Sequence, residues 1–493
     1  MHRVSGWIRL HVIWVIILSL TVALLLGSGV WLFIRTSARS VHGVLVTGPA
    51  FVALLDKETG KSIWRYQTDL YSRQVGINTP RTGITAFAPL VSNGLVYVLT
   101  QTPVGYTPNG FTYTMEALSL ATGTVQWSWG WKEAPTLEDP LTLANGVIYI
   151  SEYTFTGNID SPPSSPFSPG SPSADQGYIV ALQASDGHQL WKASLSGQPS
   201  PATVADNVLY LSNGKALLAL SASDGHQLWQ YQPDDGDMTY YNQIDYQTGQ
   251  AHTVIVQGQV YLEIRRVEGD HYVDDLAALN PQTGRLVWRY WSHGDGESIT
   301  MPILAKNTLY VGIGVWGAIN APFVALNAST GAASWTYQGS PRGYLSQPVL
   351  DNGVLYLKEF TLKGTPSDVV ALQVSNGQVL KRYTPASGEA FSTLTVNQQT
   401  LYLTVSRSKR TPEEVIALNR ATGAEVWHSS LSPLPFGLSA VTVSQNQVYV
   451  VAAQSDVWSA TLFVLQAGNG KQLWSYAMSD QMYPVMYPVV TAV

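Results

Sequence analysis

The chain has 493 residues, of which 45% are hydrophobic and only 12% charged, with a formal net charge of −6. Its length suggests about three ordinary domains, and an acidic balance without a basic run argues against nucleic acid as a partner. The absence of cysteine removes a disulfide framework, a thiolate zinc site, a cysteine nucleophile and a lipidated cysteine anchor together. In place of charge stand 42 Gly, 27 Pro, 26 Tyr and 16 Trp, a composition that reads as an all-β protein with many turns.

Residues 1–11 form a short head carrying Arg3 and Arg9, and residues 12–34 contain no charge. Such a stretch in helical form reaches about 34 Å, enough for a hydrocarbon core of about 30 Å. Trp14 and Trp31 lie near its two ends, where indole rings favour the interface. The competing reading is a cleaved signal peptide ending near Thr36-Ser37-Ala38, but its apolar region should span only about 7–15 residues. The segment is therefore expected to be a transmembrane signal anchor. Arg35 and Arg39 follow it, so the positive-inside rule discriminates weakly. A body poor in Lys and Arg favours the head inside and residues 43–493 outside the cytoplasm, as a single-pass protein of the cell membrane. Residues 35–42 are the linker.

Beyond the linker one phrase recurs nine times. It reads ALLDKETGKSIW (53–64), ALSLATGTVQW (117–127), ALQASDGHQLW (181–191), ALSASDGHQLW (219–229), ALNPQTGRLVW (278–288), ALNASTGAASW (325–335), ALQVSNGQVL (371–380), ALNRATGAEVW (417–427) and VLQAGNGKQLW (464–474). Its glycines are Gly60, Gly123, Gly187, Gly225, Gly284, Gly331, Gly377, Gly423 and Gly470, with a base spacing near 46 and insertions. That period fits one four-stranded propeller blade per unit. In each unit a strand ends at a turn whose glycine supplies a positive φ, and the next strand carries the Trp. Upstream, pairs such as PATVADNVLYLS (201–212) and QPVLDNGVLYLK (347–358) join two apolar runs through Asp-Asn or Asn-Gly, a hairpin signal.

The phrase Ala-Leu-(Asp/Asn)-x-x-Thr-Gly-x-x-x-Trp resembles the pyrroloquinoline-quinone-like β-propeller repeat. That family includes the quinoprotein alcohol dehydrogenases and the propeller lipoprotein of the bacterial outer-membrane assembly machinery. The resemblance covers about residues 42–493 and implies a single β-propeller after one transmembrane helix. Motif seven is the most divergent, with Leu380 where Trp is expected. The first unit has only three strands: Gly43–Thr47, Phe51–Leu55 and the one with Trp64. Its missing inner strand is expected at Pro488–Val493, so both ends of the chain would share one blade and hide its edges. The count gives nine blades. Eight stays open, because the resembled families usually have eight and one unit could sit outside the ring.

With strands A to D named from the axis outward, the A–B and C–D turns share one face and are all short. Insertions fall on the other face: 102–112, 155–177, 264–275 and 405–413 between B and C, and 66–85 and 231–251 between D and A. Function concentrates on such loops. The short linker should tether the plain face. Just before the A strands, Glu138, Asp139, His252, Glu297, Arg342, Tyr344 and Glu389 should surround the channel mouth, as candidates for binding a small polar ligand. The eight motif tryptophans, Trp64, Trp127, Trp191, Trp229, Trp288, Trp335, Trp427 and Trp474, recur at one structural position and read as packing between blades. Asp234-Asp235-Gly236-Asp237 lacks the spacing of a calcium loop. Asp270-His271 and His293-Gly294-Asp295-Gly296-Glu297 lack zinc spacing. No metal and no cofactor are expected. The resemblance implies a quinone clamped by adjacent cysteines in the enzymes and an acylated cysteine in the lipoprotein, and this chain has neither. The expected role is a non-catalytic scaffold with a protein partner. A quinone-dependent dehydrogenase and a ligand- or carbohydrate-binding ectodomain are the alternatives.

Overall fold

The computed structural model describes residues 43–492 apart from 49–50, 68–82, 85–88, 104–110, 132–135, 155–175, 214, 235–236, 239–243, 246–249, 252–253, 269–270, 292–298, 300–301, 314–321, 340–342, 346–347, 362–367, 388, 407–413, 432–436, 440, 454–459 and 479–489. Contacts gather Val44–Ala492 into one compact unit. The expected anchor, residues 12–34, lies outside the described residues. Among those described, no helix is long and apolar enough to cross a membrane.

Each sequence unit folds as one antiparallel sheet. Blade 4 shows the pattern: Thr203–Ala205, Val208–Ser212, Leu217–Ser221 and Gln227–Tyr231 are neighbours in that order. Its third strand is buried along its whole length, because a blade packs against a neighbour on each side. Leu218 and Leu220 meet Tyr149 and Leu209 in one apolar cluster. Leu217 and Ala219 meet Leu262 and Ala277 of blade 5 in the next. Alternation along a strand thus sends successive side chains to opposite neighbours, and a run of apolar residues serves two interfaces.

The described residues form nine blades, and the divergent seventh unit is one of them. Its sheet runs from Gly343–Leu345 and Val349–Asp351 through Val354–Thr361 and Asp368–Gln373 to Val379–Tyr383. The first blade is divided between the chain ends as expected. Gly43–Gly48, Phe51–Asp56 and Ser62–Gln67 supply three strands, and Val490–Ala492 completes the sheet beside the first. The register pairs Val44 with Ala492 and Val46 with Val490. Inner strands are less regular than the sequence suggests. In blades 2, 5, 7 and 9 two short segments pair in succession with the same second strand, as Gly437–Leu438 and Thr442–Ser444 do with Gln447–Ala453. The expected insertion 264–275 is largely strand, and the described residues at both ends of 102–112 are strand as well. Gln259–Glu268 pairs with His271–Leu279 out to Glu268↔His271, and Leu95–Pro103 pairs with Phe111–Ser119 out to Pro103↔Phe111.

The turns explain the motif. Asn352 and Gly353 have φ of 46° and 77°, and Asp206 and Asn207 have 48° and 62°, the left-handed pair that a tight two-residue hairpin demands. In the outer turns the Asp or Asn after Ala-Leu acts as a local acceptor. Asn280 Oδ1 takes the backbone N–H groups of Gln282 and Thr283, both at 3.0 Å, and the Thr283 hydroxyl at 3.0 Å. Gly284, at φ 67°, then donates back to the Asn280 carbonyl at 2.9 Å.

Candidate functional site

Successive blades are joined by a repeated wedge. The Trp of one outer strand lies on the turn glycine of the next blade, so closely that a Cβ on Gly331 would stand 2.7 Å from Trp288 Cδ2. Only glycine fits there, for the approach as well as for its φ of 72°. The indole Nε1–H of Trp288 donates to the carbonyl of Ala328 at 2.9 Å, and the Tyr261 hydroxyl donates to the same oxygen at 3.2 Å. The two rings are tilted with centroids 6.0 Å apart. The same wedge seats Trp64 on Gly123, Trp127 on Gly187, Trp191 on Gly225, Trp229 on Gly284, Trp335 on Gly377 and Trp427 on Gly470. Trp474 of blade 9 sits on Gly60 of blade 1 and donates to the Lys57 carbonyl at 2.9 Å. That contact closes the ring.

One junction breaks the rule. Four residues after Gly377 stands Lys381, not Leu380. Leu380 is 52% exposed, in line with Leu190, Leu228 and Val426, each one residue before a Trp. The notion that Leu380 replaces the indole is therefore corrected: the replacement is Lys381. Its Cε stands 2.7 Å from where a Cβ of Gly423 would be, and its ammonium donates to the Thr422 carbonyl at 2.6 Å. The carbonyl that an indole would cap belongs to Arg420, and it is taken by the Tyr383 hydroxyl at 2.5 Å. Burial, followed by the nearby Tyr356, pushes the Tyr383 phenol up to about 12. The Arg420 guanidinium bonds the Asp351 carboxylate and reaches the carbonyls of Asp351 and Gln398, both at 3.0 Å. It also lies 5.1 Å from the centre of the Tyr356 ring, a cation–π arrangement.

A pocket of about 390 Å³, open to solvent, lies between blades 7 and 8. Tyr356, Lys381, Tyr383, Gln398, Gln399 and Arg420 are among its lining residues. It lies at the ends of blade 8 that carry the tight turns, Gln398–Gln399 and Asn419–Ala421.

The described residues cover only part of the expected channel-mouth set. His252, Glu297 and Arg342 lie outside them. Glu138 and Asp139 fall within the inner strand Thr136–Ala144 rather than before it, with Glu138 opposite Ser151. Tyr344 falls within Gly343–Leu345, opposite Phe360. Glu389 does precede an inner strand, half-buried, with its backbone N–H donating to the Ala386 carbonyl at 3.0 Å.

Other acids missed from the sequence are buried between strands. Asp274 and Asp275 are each held by an arginine at 2.7 Å, Arg265 and Arg289 respectively. Glu152 meets Lys192 and Trp131. Burial, with Asp274 beside it, raises the Glu263 carboxyl well above its usual range. Such pairs meet the requirement that buried charge be partnered, and they read as structure. Among the described residues no three His, Asp or Glu side chains gather to hold a metal ion, and the chain has no cysteine to clamp a flat quinone ring.

Nine four-stranded blades among the described residues, with the Gly–Trp wedge at eight of their nine junctions, define a β-propeller of the pyrroloquinoline-quinone-like repeat class. The family described as "Outer membrane protein assembly factor BamB" matches residues 26–160, 116–265, 243–409 and 385–493, and the chain belongs to that family. No curated protein sequence matches it. Among solved structures, BamB from Moraxella catarrhalis is 16% identical, with a TM-score of 0.41 over 71% of this chain and 92% of that one. Quinohemoprotein alcohol dehydrogenase from Comamonas testosteroni is 13% identical, with a TM-score of 0.41 over 71% and 68%. The Saccharomyces cerevisiae protein Sqt1 is 8% identical, with a TM-score of 0.40 over 67% and 82%.

Proposed function

We propose that this protein is a non-catalytic scaffold, a propeller held to the cell membrane through residues 12–34, outside the cytoplasm, where it engages another protein. The observation that supports this most is the family match, which runs through successive blades under the description of an outer membrane protein assembly factor. The uncharged stretch 12–34 supports the anchor, and the scarcity of Lys and Arg in the body supports its placement outside. Lack of any cysteine weighs against the quinone chemistry of the other branch.

The test is purification of the full-length chain from its own membranes after mild cross-linking. A salt-resistant complex with one protein at fixed stoichiometry is expected, together with retention in the membrane after alkaline extraction. Recovery of the chain alone, with dye reduction on adding pyrroloquinoline quinone, Ca²⁺ and an alcohol, would reverse the reading.

A further inference from the structure

We propose that the open pocket between blades 7 and 8 receives an acidic segment of the partner protein, a short peptide that sets a carboxylate beside an apolar side chain. Lys381 and Arg420 line this pocket, and its described lining residues include no Asp or Glu. That is notable in a chain whose Asp and Glu outnumber Lys and Arg, 33 to 27. The two cations are not equivalent. Arg420 bonds the Asp351 carboxylate, so its charge is answered within the protein. The Lys381 ammonium instead meets neutral groups, the Thr422 carbonyl at 2.6 Å and the Tyr383 ring at 5.8 Å. An ammonium has three donors, and that carbonyl takes one of them. A full positive charge with donors to spare is left at the pocket.

The rest of the lining fits a peptide better than a free anion. Gln398 and Gln399 are exposed on a tight turn and line the same pocket. A side-chain amide both donates and accepts, as a peptide backbone requires of whatever it lies against. Leu380, 52% exposed, and Ala421 give the pocket an apolar side. An isolated phosphate or carboxylate would leave those groups unused. A space of about 390 Å³ that opens to solvent admits one or two side chains while the segment that carries them continues past. The turn is already held in place, because the Arg420 guanidinium donates to the Gln398 carbonyl at 3.0 Å, and little remains to be ordered on binding. Complementary charge then favours an acidic segment over a neutral one. This inference rests on the reading of the protein as a scaffold with a protein partner.

Calorimetric titration of the full-length protein in detergent tests it, with the peptide acetyl-Leu-Glu-Leu-amide as probe and acetyl-Leu-Gln-Leu-amide and inorganic phosphate as comparisons. The acidic peptide is expected to bind with a dissociation constant below about 1 mM, and each comparison at least about tenfold more weakly. Lys381→Met keeps the stem and removes the charge, and Gln399→Glu sets an acid on the exposed turn. Each should weaken the acidic peptide about tenfold, whereas Lys471→Met, at an exposed lysine of blade 9, should not. Should Lys381→Met not fold, Gln399→Glu decides alone. No binding by the natural protein, equal binding of the Gln peptide or of phosphate, or unchanged binding by either pocket variant overturns the proposal. An unaltered cross-linked complex from membranes carrying Gln399→Glu overturns it too and leaves the scaffold reading intact, while absence of any complex from the natural protein overturns both.

Discussion

The junction between blades 5 and 6 and that between blades 7 and 8 do the same task with different chemistry. In the first, Trp288 is 8% exposed, lies on Gly331 and caps the Ala328 carbonyl. In the second, Lys381 covers Gly423, Tyr383 caps the carbonyl, and Arg420 ties the turn of one blade to Asp351 of the other. The first relies on burial of a large ring, which is non-directional and tolerant. The second relies on charged hydrogen bonds that must be matched one by one. A repeated fold therefore tolerates loss of its signature residue where polar contacts can be substituted.

The largest expected effect asks whether any single junction is dispensable when the ring is open. Truncation after residue 487 removes Val490–Ala492 and exposes the edge of Gly43–Gly48. Aggregation and rapid proteolysis of the propeller should follow, and an unchanged melting curve would contradict the divided blade. Next, Trp288→Ala should destabilise by ~3–5 kcal/mol, as for emptying a large buried site, while Lys381→Ala at the equivalent place should cost only about 1 kcal/mol. Urea titration of both variants compares them directly.

A finer contrast lies in the glycines. Both Gly331→Ala and Gly423→Ala suffer the strain of positive φ, ~1–2 kcal/mol. Only the first also drives a methyl into a fixed indole. Gly423→Ala meets the end of a movable lysine stem. Gly331→Ala should thus be worse by ~1–3 kcal/mol, and equal costs would show that the lysine is as rigid as the indole.

The smallest effect depends on pH. Lys358, which bonds the Ser392 carbonyl across the same odd junction, is lowered by burial from 10.5 to about 8. Between those values the unfolded chain holds more protons than the folded one, so stability rises with pH. It should increase by ~1–2 kcal/mol from pH 8 to 9.5 relative to Lys358→Met. Parallel denaturation curves for the two proteins over that range would remove the buried lysine from the account.

Most of the propeller is legible because its constraints are local. A positive-φ glycine, an Asx acceptor two to three residues before the N–H groups it receives, and a hairpin pair such as Asn352-Gly353 all act within a few residues. Even the completion of blade 1 by a distant strand follows from the three-strand count at its start. The blade 7–8 pocket is different in kind. Spacing from Gly377 picks out Lys381 once it is counted strictly, but the pocket depends on how Tyr383 and Arg420 pack. The inner-strand breaks are likewise set by how sheets converge at the axis, which no local pattern encodes. The channel-mouth set rests on loop position, and at Glu138 and Asp139 strand pairing extends past the end that the apolar pattern marks.

The divided first blade has a consequence for assembly. Gly43–Gly48 emerges during synthesis nearly the whole length of the propeller before its partner Val490–Ala492. No strand pairing among the described residues spans a greater separation along the chain, and contacts of that kind are slow to form. Until it forms, the edge of Gly43–Gly48 is unsatisfied, and such edges recruit foreign strands. That edge stays open until the last strand of the chain has been made.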